Sequence, residues 1–123
     1  AMKVAEYLEV HPQVEQVFYP GLSSFKGHEV AREQMNDFGG MLSFILKSTG
    51  DEKKGGARAI ELVDNMHLFK IAVSLGDTES LVEIPARMTH RGQDISPALI
   101  RLSIGLEDPE DLIENLEKAL EEI

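Results

Sequence analysis

The sequence predicts an α+β fold, a small and mainly antiparallel sheet with helices packed on one face. Three observations predict it. "GGMLSFILK" and "ALIRLSIGL" alternate apolar and polar residues with the period of a half-buried strand. "EDPEDLIENLEKAL" carries an apolar stripe at helical spacing that has to lie against something. Strand signals also crowd residues 67–106 too closely for a doubly wound parallel sheet.

The elements follow in order. "AMKVAEYLEVHP" reads as the end of a helix, with Val4, Ala5 and Leu8 on one stripe and Pro12 stopping it. "VEQVFYPGL" is a short strand broken by Pro20-Gly21, and "GHEVAREQM" a short helix. In "GGMLSFILK", Leu42, Phe44 and Leu46 point one way and Met41, Ser43 and Ile45 the other. "STGDEKKGG" reads as a charged, glycine-bounded loop, and "ARAIELVDNM" as a helix using Ile60, Leu62 and Val63.

"HLFKIAVSLG" and "ESLVEIP" then read as two strands, or as one bent at Gly76, and "ALIRLSIGL" as the last. The final helix is the best signalled. Asp108 suits the N-cap, Pro109 the first turn, and Glu110 and Asp111 the positive end of the dipole. Leu112, Ile113, Leu116, Ala119, Leu120 and Ile123 form its buried stripe.

Composition narrows the function. A chain of 123 residues fits one domain with a real core, here residues 1–123. The absence of cysteine removes disulfides, thiolate metal sites and cysteine nucleophiles. A formal net charge of −10 argues against a surface tracking nucleic-acid phosphates. Most of that charge sits after Leu106 and reads as a solvated helix face. No apolar run approaches the ~20 residues of a membrane span. His11, His28, His67 and His90 lack metal-ligand spacing, so no metal is expected.

Strand parity singles out one arginine. Ile100, Leu102 and Ile104 contrast with Arg101 and Ser103; Phe69, Ile71, Val73 and Leu75 contrast with Lys70, Ala72 and Ser74. If helices cover the apolar face, then Ser43, Lys70, Ser74, Arg101 and Ser103 share the other. An arginine fork there can grip a carboxylate, with Ser74 and the backbone around Gly76 completing an anion site. By spacing alone, the commoner reading of a strand arginine is a solvent-facing or ion-paired residue.

Four stretches, "VAEYLEVHPQVEQVFYPGL", "FGGMLSF", "LFKIAVSLGDTESLVEIPARMTH" and "LIRLSIGLEDPEDLIENLEKAL", together resemble the C-terminal domain of the pyridoxal-phosphate enzymes of cysteine and methionine metabolism. That family, of fold type I, includes methionine γ-lyase, cystathionine γ-lyase, cystathionine γ-synthase and O-acetylhomoserine sulfhydrylase. The resemblance implies that Arg101 and Ser74 bind the substrate α-carboxylate and that Val73 and Leu75 line the substrate pocket. It implies that pyridoxal 5'-phosphate and its lysine belong to an N-terminal domain, not to this stretch. On that reading residues 1–12 are the end of an interdomain helix, the parent is a cytoplasmic homotetramer, and this part alone is inactive.

Within the family "AVSLGD" is most similar to the methionine γ-lyases, and Val73 stands where cystathionine γ-lyases tend to carry glutamate. The stretch "HRGQDI" is shorter than the family's usual loop. The rival of another class is a free-standing amino-acid-binding module without catalysis.

Overall fold

The strand that carries Arg101 lies at the centre of the sheet. The computed structural model describes residues 1–123, in the order α1 (Met2–Glu9), β1 (Val14–Phe18), α2 (His28–Gln34), β2 (Met41–Leu46), α3 (Glu52–Asn65), β3 (Lys70–Ile71), β4 (Leu81–Glu83), β5 (Leu99–Ser103) and α4 (Pro109–Glu121). The five strands lie in the order β1-β2-β5-β4-β3. Every pairing is antiparallel except β3 with β4. This is the expected α+β architecture.

Alternation dictates what each central strand buries. Leu42, Phe44 and Leu46 of β2, Val82 of β4, and Ile100 and Leu102 of β5 face the core. Against them pack Val4, Ala5 and Leu8 of α1, Ala59, Leu62 and Val63 of α3, and Leu112, Leu116, Ala119 and Leu120 of α4. As expected, Asp108 caps α4: its carboxylate accepts from the Glu110 N–H at 2.9 Å, with Pro109 opening the helix. Ile113 and Ile123 flank the stripe, half-buried.

Two sequence expectations are corrected. The stretch read as a loop from Ser48 to Gly56 contains the start of α3. Asp51 is its N-cap, accepting from the N–H groups of Lys53 (3.0 Å) and Lys54 (3.4 Å). Gly55 and Gly56 lie inside this helix because the chain passes so close. A Cβ on Gly55 would stand 2.8 Å from Cβ of Ser48, and one on Gly56 would stand 3.0 Å from Cβ of Pro97. Two helical glycines cost about 1 kcal/mol each relative to alanine, and close packing offsets that. By sequence alone the same glycines read as the boundary of a charged loop.

The long strand expected over 67–76 shrinks to Lys70–Ile71. The Ala72 N–H donates to Val82 O at 3.1 Å, after which the chain leaves the sheet edge. Parity therefore fails beyond that point. Val73 and Leu75, placed on the core face by alternation, are 55% and 59% exposed, and Ile71, in the edge strand itself, is 56% exposed.

The departing segment is anchored instead by polar contacts. Gly76, at φ +74°, turns the chain, and its N–H donates to Ser103 Oγ at 2.9 Å. Ser80, wholly buried, ties this turn to the exit of β5. Its N–H donates to Glu107 Oε2 at 2.8 Å and Oε1 at 3.0 Å, and its Oγ accepts from the Gly105 N–H at 2.9 Å. No helix is long and apolar enough to cross a membrane.

Candidate functional site

On the face of the sheet away from the core helices, three residues lie abreast. Arg101 of β5 is in register with Ser43 of β2 on one side and Glu83 of β4 on the other. Ser103 shares the face, two residues along β5. Strand parity places Ser43, Arg101 and Ser103 on one face, and the register agrees. Sequence reading does not name Glu83, although the signal is present: a lone carboxylate between Val82 and Ile84 in a strand.

Glu83 is fully buried, and its Oε1 lies 3.1 Å from Nη1 of Arg101. The Thr89 hydroxyl donates to the same oxygen at 3.1 Å. Having spent its only proton there, that hydroxyl accepts from Nδ1 of His90 at 2.8 Å, which places a proton on Nδ1. Oε2 of Glu83 and Nε of Arg101 are buried without a protein partner. The pair is thus joined through one end of each group. The ion-paired alternative for Arg101 is correct, and the ion pair engages only Nη1 of the fork.

That remainder points at the departing segment. Nη2 donates to Val73 O at 3.1 Å and to Ser74 O at 2.8 Å. The Arg101 side chain is 21% exposed. Of the expected site residues, Arg101 and Ser74 are therefore brought together, but through the serine's backbone carbonyl, its side chain being exposed. Val73 and Leu75 flank the contact, both more than half exposed. Lys70 does not join the group; its Nζ pairs with Glu79, whose carboxylate raises the lysine's pKa by hydrogen bond and charge.

Next to this segment, Asp77 folds the turn. Its Oδ1 accepts from the Glu79 N–H at 3.4 Å and from the Thr78 hydroxyl at 3.2 Å. These bonds, the Glu79 amide foremost, hold its carboxyl below the usual aspartate value.

Chemically, the arrangement is a carboxylate-oriented guanidinium at the centre of a sheet. Its exposed end is satisfied by neutral carbonyl oxygens, which an anionic oxygen can replace with a stronger, charge-assisted bond. As for a cofactor, all seven lysines of the chain are exposed, and none sits in the closed pocket that would tune it for a covalent carbonyl adduct. The residues present do not form such a site.

The model of the Cys/Met metabolism PLP-dependent enzyme family matches residues 1–121. The chain belongs to that family. It is 48% identical to the L-methionine gamma-lyase of Fusobacterium nucleatum subsp. polymorphum, the match covering all of this chain and 32% of that protein. It is 45% identical to the cystathionine gamma-lyase of Bacillus subtilis, over all of this chain and 33% of that protein. With the cystathionine beta-lyase of Lactococcus lactis subsp. cremoris the figures are 44%, 98% and 32%.

The chain thus spans about a third of the length of the curated relatives it matches. The first of these alignments runs over 132 positions against a chain of 123 residues, so that relative carries residues without a counterpart here.

Proposed function

We propose that this chain is the substrate-carboxylate-binding, C-terminal part of a pyridoxal-phosphate-dependent carbon–sulfur lyase of the methionine γ-lyase kind. The observation that carries it is the Arg101 fork, oriented by Glu83 and presented to Val73 O and Ser74 O from the central strand. A substrate α-carboxylate takes Nη2 in place of those carbonyls. The Ser74 hydroxyl then lies on the segment beside it. Held by its carboxylate, the amino acid is oriented so that the bonds at its α-carbon meet the reactive group squarely.

The cofactor and its lysine are assigned to the remainder of the protein, N-terminal to this part. When bound, the cofactor supplies the electron sink for a γ-elimination that releases a thiol, a 2-oxo acid and ammonia. The exposed apolar run Ile71, Val73 and Leu75 is the surface that would meet that partner domain and the substrate. By family resemblance the assembled enzyme is a cytoplasmic homotetramer.

The second reading, a cystathionine lyase, is favoured by relatives only a few points less identical. Val73 argues against it. Cystathionine carries an ammonium and a carboxylate at its far end, and an apolar side chain at the site's edge can pair with neither.

The test uses the full-length enzyme with L-methionine and its neutral amide as substrates. Arg101→Ala should lower kcat/KM for the acid by roughly 2–5 kcal/mol of transition-state stabilisation. Arg101→Lys, which keeps the charge without the fork, should recover only part of it. Wild type should prefer the acid strongly and Arg101→Ala should not. Full acid preference in Arg101→Ala would place the carboxylate elsewhere.

A further inference from the structure

We infer that Glu83 is a positioning residue that aims the Arg101 fork and also limits how tightly the site holds a carboxylate. The inference rests on the reading of Arg101 as the carboxylate grip and adds a residue to it. An arginine side chain has several rotamers within reach of the same surface. Here one is selected: Glu83 sits directly across the ladder and takes Nη1, which turns Nη2 toward the Val73 and Ser74 carbonyls. Thr89 fixes the carboxylate in turn, and His90 fixes the Thr89 hydroxyl.

Glu83 has a second effect that follows from charge alone. It is fully buried and sits against a largely buried guanidinium, so the pair offers an incoming anion no net charge. The substrate carboxylate is attracted by Arg101 and repelled by Glu83 in the same poorly screened surroundings. A neutral acceptor at position 83 would keep the aim and remove the repulsion. An apolar residue there would remove both.

These consequences have opposite signs, which a merely structural ion pair would not produce. In the full-length enzyme, Glu83→Gln should lower KM for L-methionine by roughly 3–10-fold with kcat within about 2-fold, the signature of uniform binding. Glu83→Leu should raise that KM by about 10-fold or more, because the fork is no longer held. Thr89→Val, which loosens the carboxylate only, should raise it by about 2–3-fold. KM for the neutral L-methioninamide should stay put in all three.

Should Glu83→Leu fail to fold, Glu83→Gln and Thr89→Val decide the matter. Equal KM shifts for acid and amide, or melting-temperature changes alone, would make Glu83 a structural partner and overturn the inference. Arg101→Ala in the same series separates the two claims. If it leaves acid preference intact, the reading of Arg101 fails; if it abolishes that preference while KM is unmoved in the Glu83 and Thr89 variants, only the positioning role fails.

Discussion

Arg101 meets Ser74 at the main chain: Nη2 donates to the serine's carbonyl oxygen at 2.8 Å, while the Ser74 side chain stays exposed. The contact survives any side chain that leaves the backbone in place. Ser74→Ala should therefore change the stability of this chain by less than about 0.5 kcal/mol. If the hydroxyl also binds substrate, the same variant of the full-length enzyme should lose about 1 kcal/mol in kcat/KM. Denaturant melts and steady-state kinetics separate the two. A large stability loss would mean that the hydroxyl, not the carbonyl, holds the segment.

The buried stripe of α4 predicts an asymmetry along one helix. Leu116 is fully buried, so Leu116→Ala should cost on the order of 2–5 kcal/mol. Glu114 lies on the exposed side, paired with Lys118 at 2.7 Å, and Glu114→Gln should stay within about 0.5 kcal/mol. Comparable losses in urea melts would show that the helix buries a different face.

Gly105 is held by space. A Cβ there would stand 2.3 Å from Thr78 O, and that oxygen already accepts from the Leu106 N–H at 2.8 Å. The obstacle is backbone, so Gly105→Ala should cost about 1–3 kcal/mol or more and push the 78–80 turn off β5. Amide exchange at Leu106 and Ser80 should speed up before the rest of the sheet does. Unchanged exchange at both would contradict the packing described.

Asp77 gives the turn a pH dependence whose sign is fixed. Its carboxyl, stabilised as the anion by the Glu79 and Thr78 donors, titrates below the ordinary 3.8. The contribution is complete above that value and is lost as pH falls through the lower folded-state pKa. An NMR titration should show the Glu79 amide shifting with a midpoint below pH 3.8, and Asp77→Asn should abolish that inflection. An inflection at or above the ordinary value would mean that these donors do not hold the carboxylate.

Mixed with pyridoxal phosphate, this chain should give no stoichiometric absorption band that responds to added L-methionine. Its lysines are all exposed, and an ordinary amine protonated near pH ~10 forms such adducts weakly. A saturable, substrate-responsive band at one equivalent would reassign the cofactor site to this chain.

The parts of the fold legible in the sequence were those where local and global preferences agree. The α4 stripe, its Asp108 cap and the alternation in β2 and β5 each specify burial directly. Legibility ended where tertiary packing overrode a local rule. Gly55 and Gly56 look like loop residues unless the approach of Ser48 and Pro97 is known. Ile71, Val73 and Leu75 alternate like a buried strand, yet β3 ends at Ile71 and all three are more than half exposed. Arg101 stood out because it broke a greasy pattern. Glu83 broke one too, but in a stretch only three residues of which are strand, and only the register shows that the two are opposite each other.

The strand order has a consequence for how the chain acquires its shape during synthesis. β5, the last strand made, is inserted between β2 and β4. Until residues 99–103 emerge, β2 and β4 lack the strand that lies between them, so the β1–β2 and β3–β4 pairings can form only with an open inner edge. Closing them requires contacts of long sequence separation, the slow kind. A ribosome paused just before β5 would therefore present two sticky half-sheets, and chaperones that shield strand edges should bind nascent chains of that length more than any shorter or longer ones.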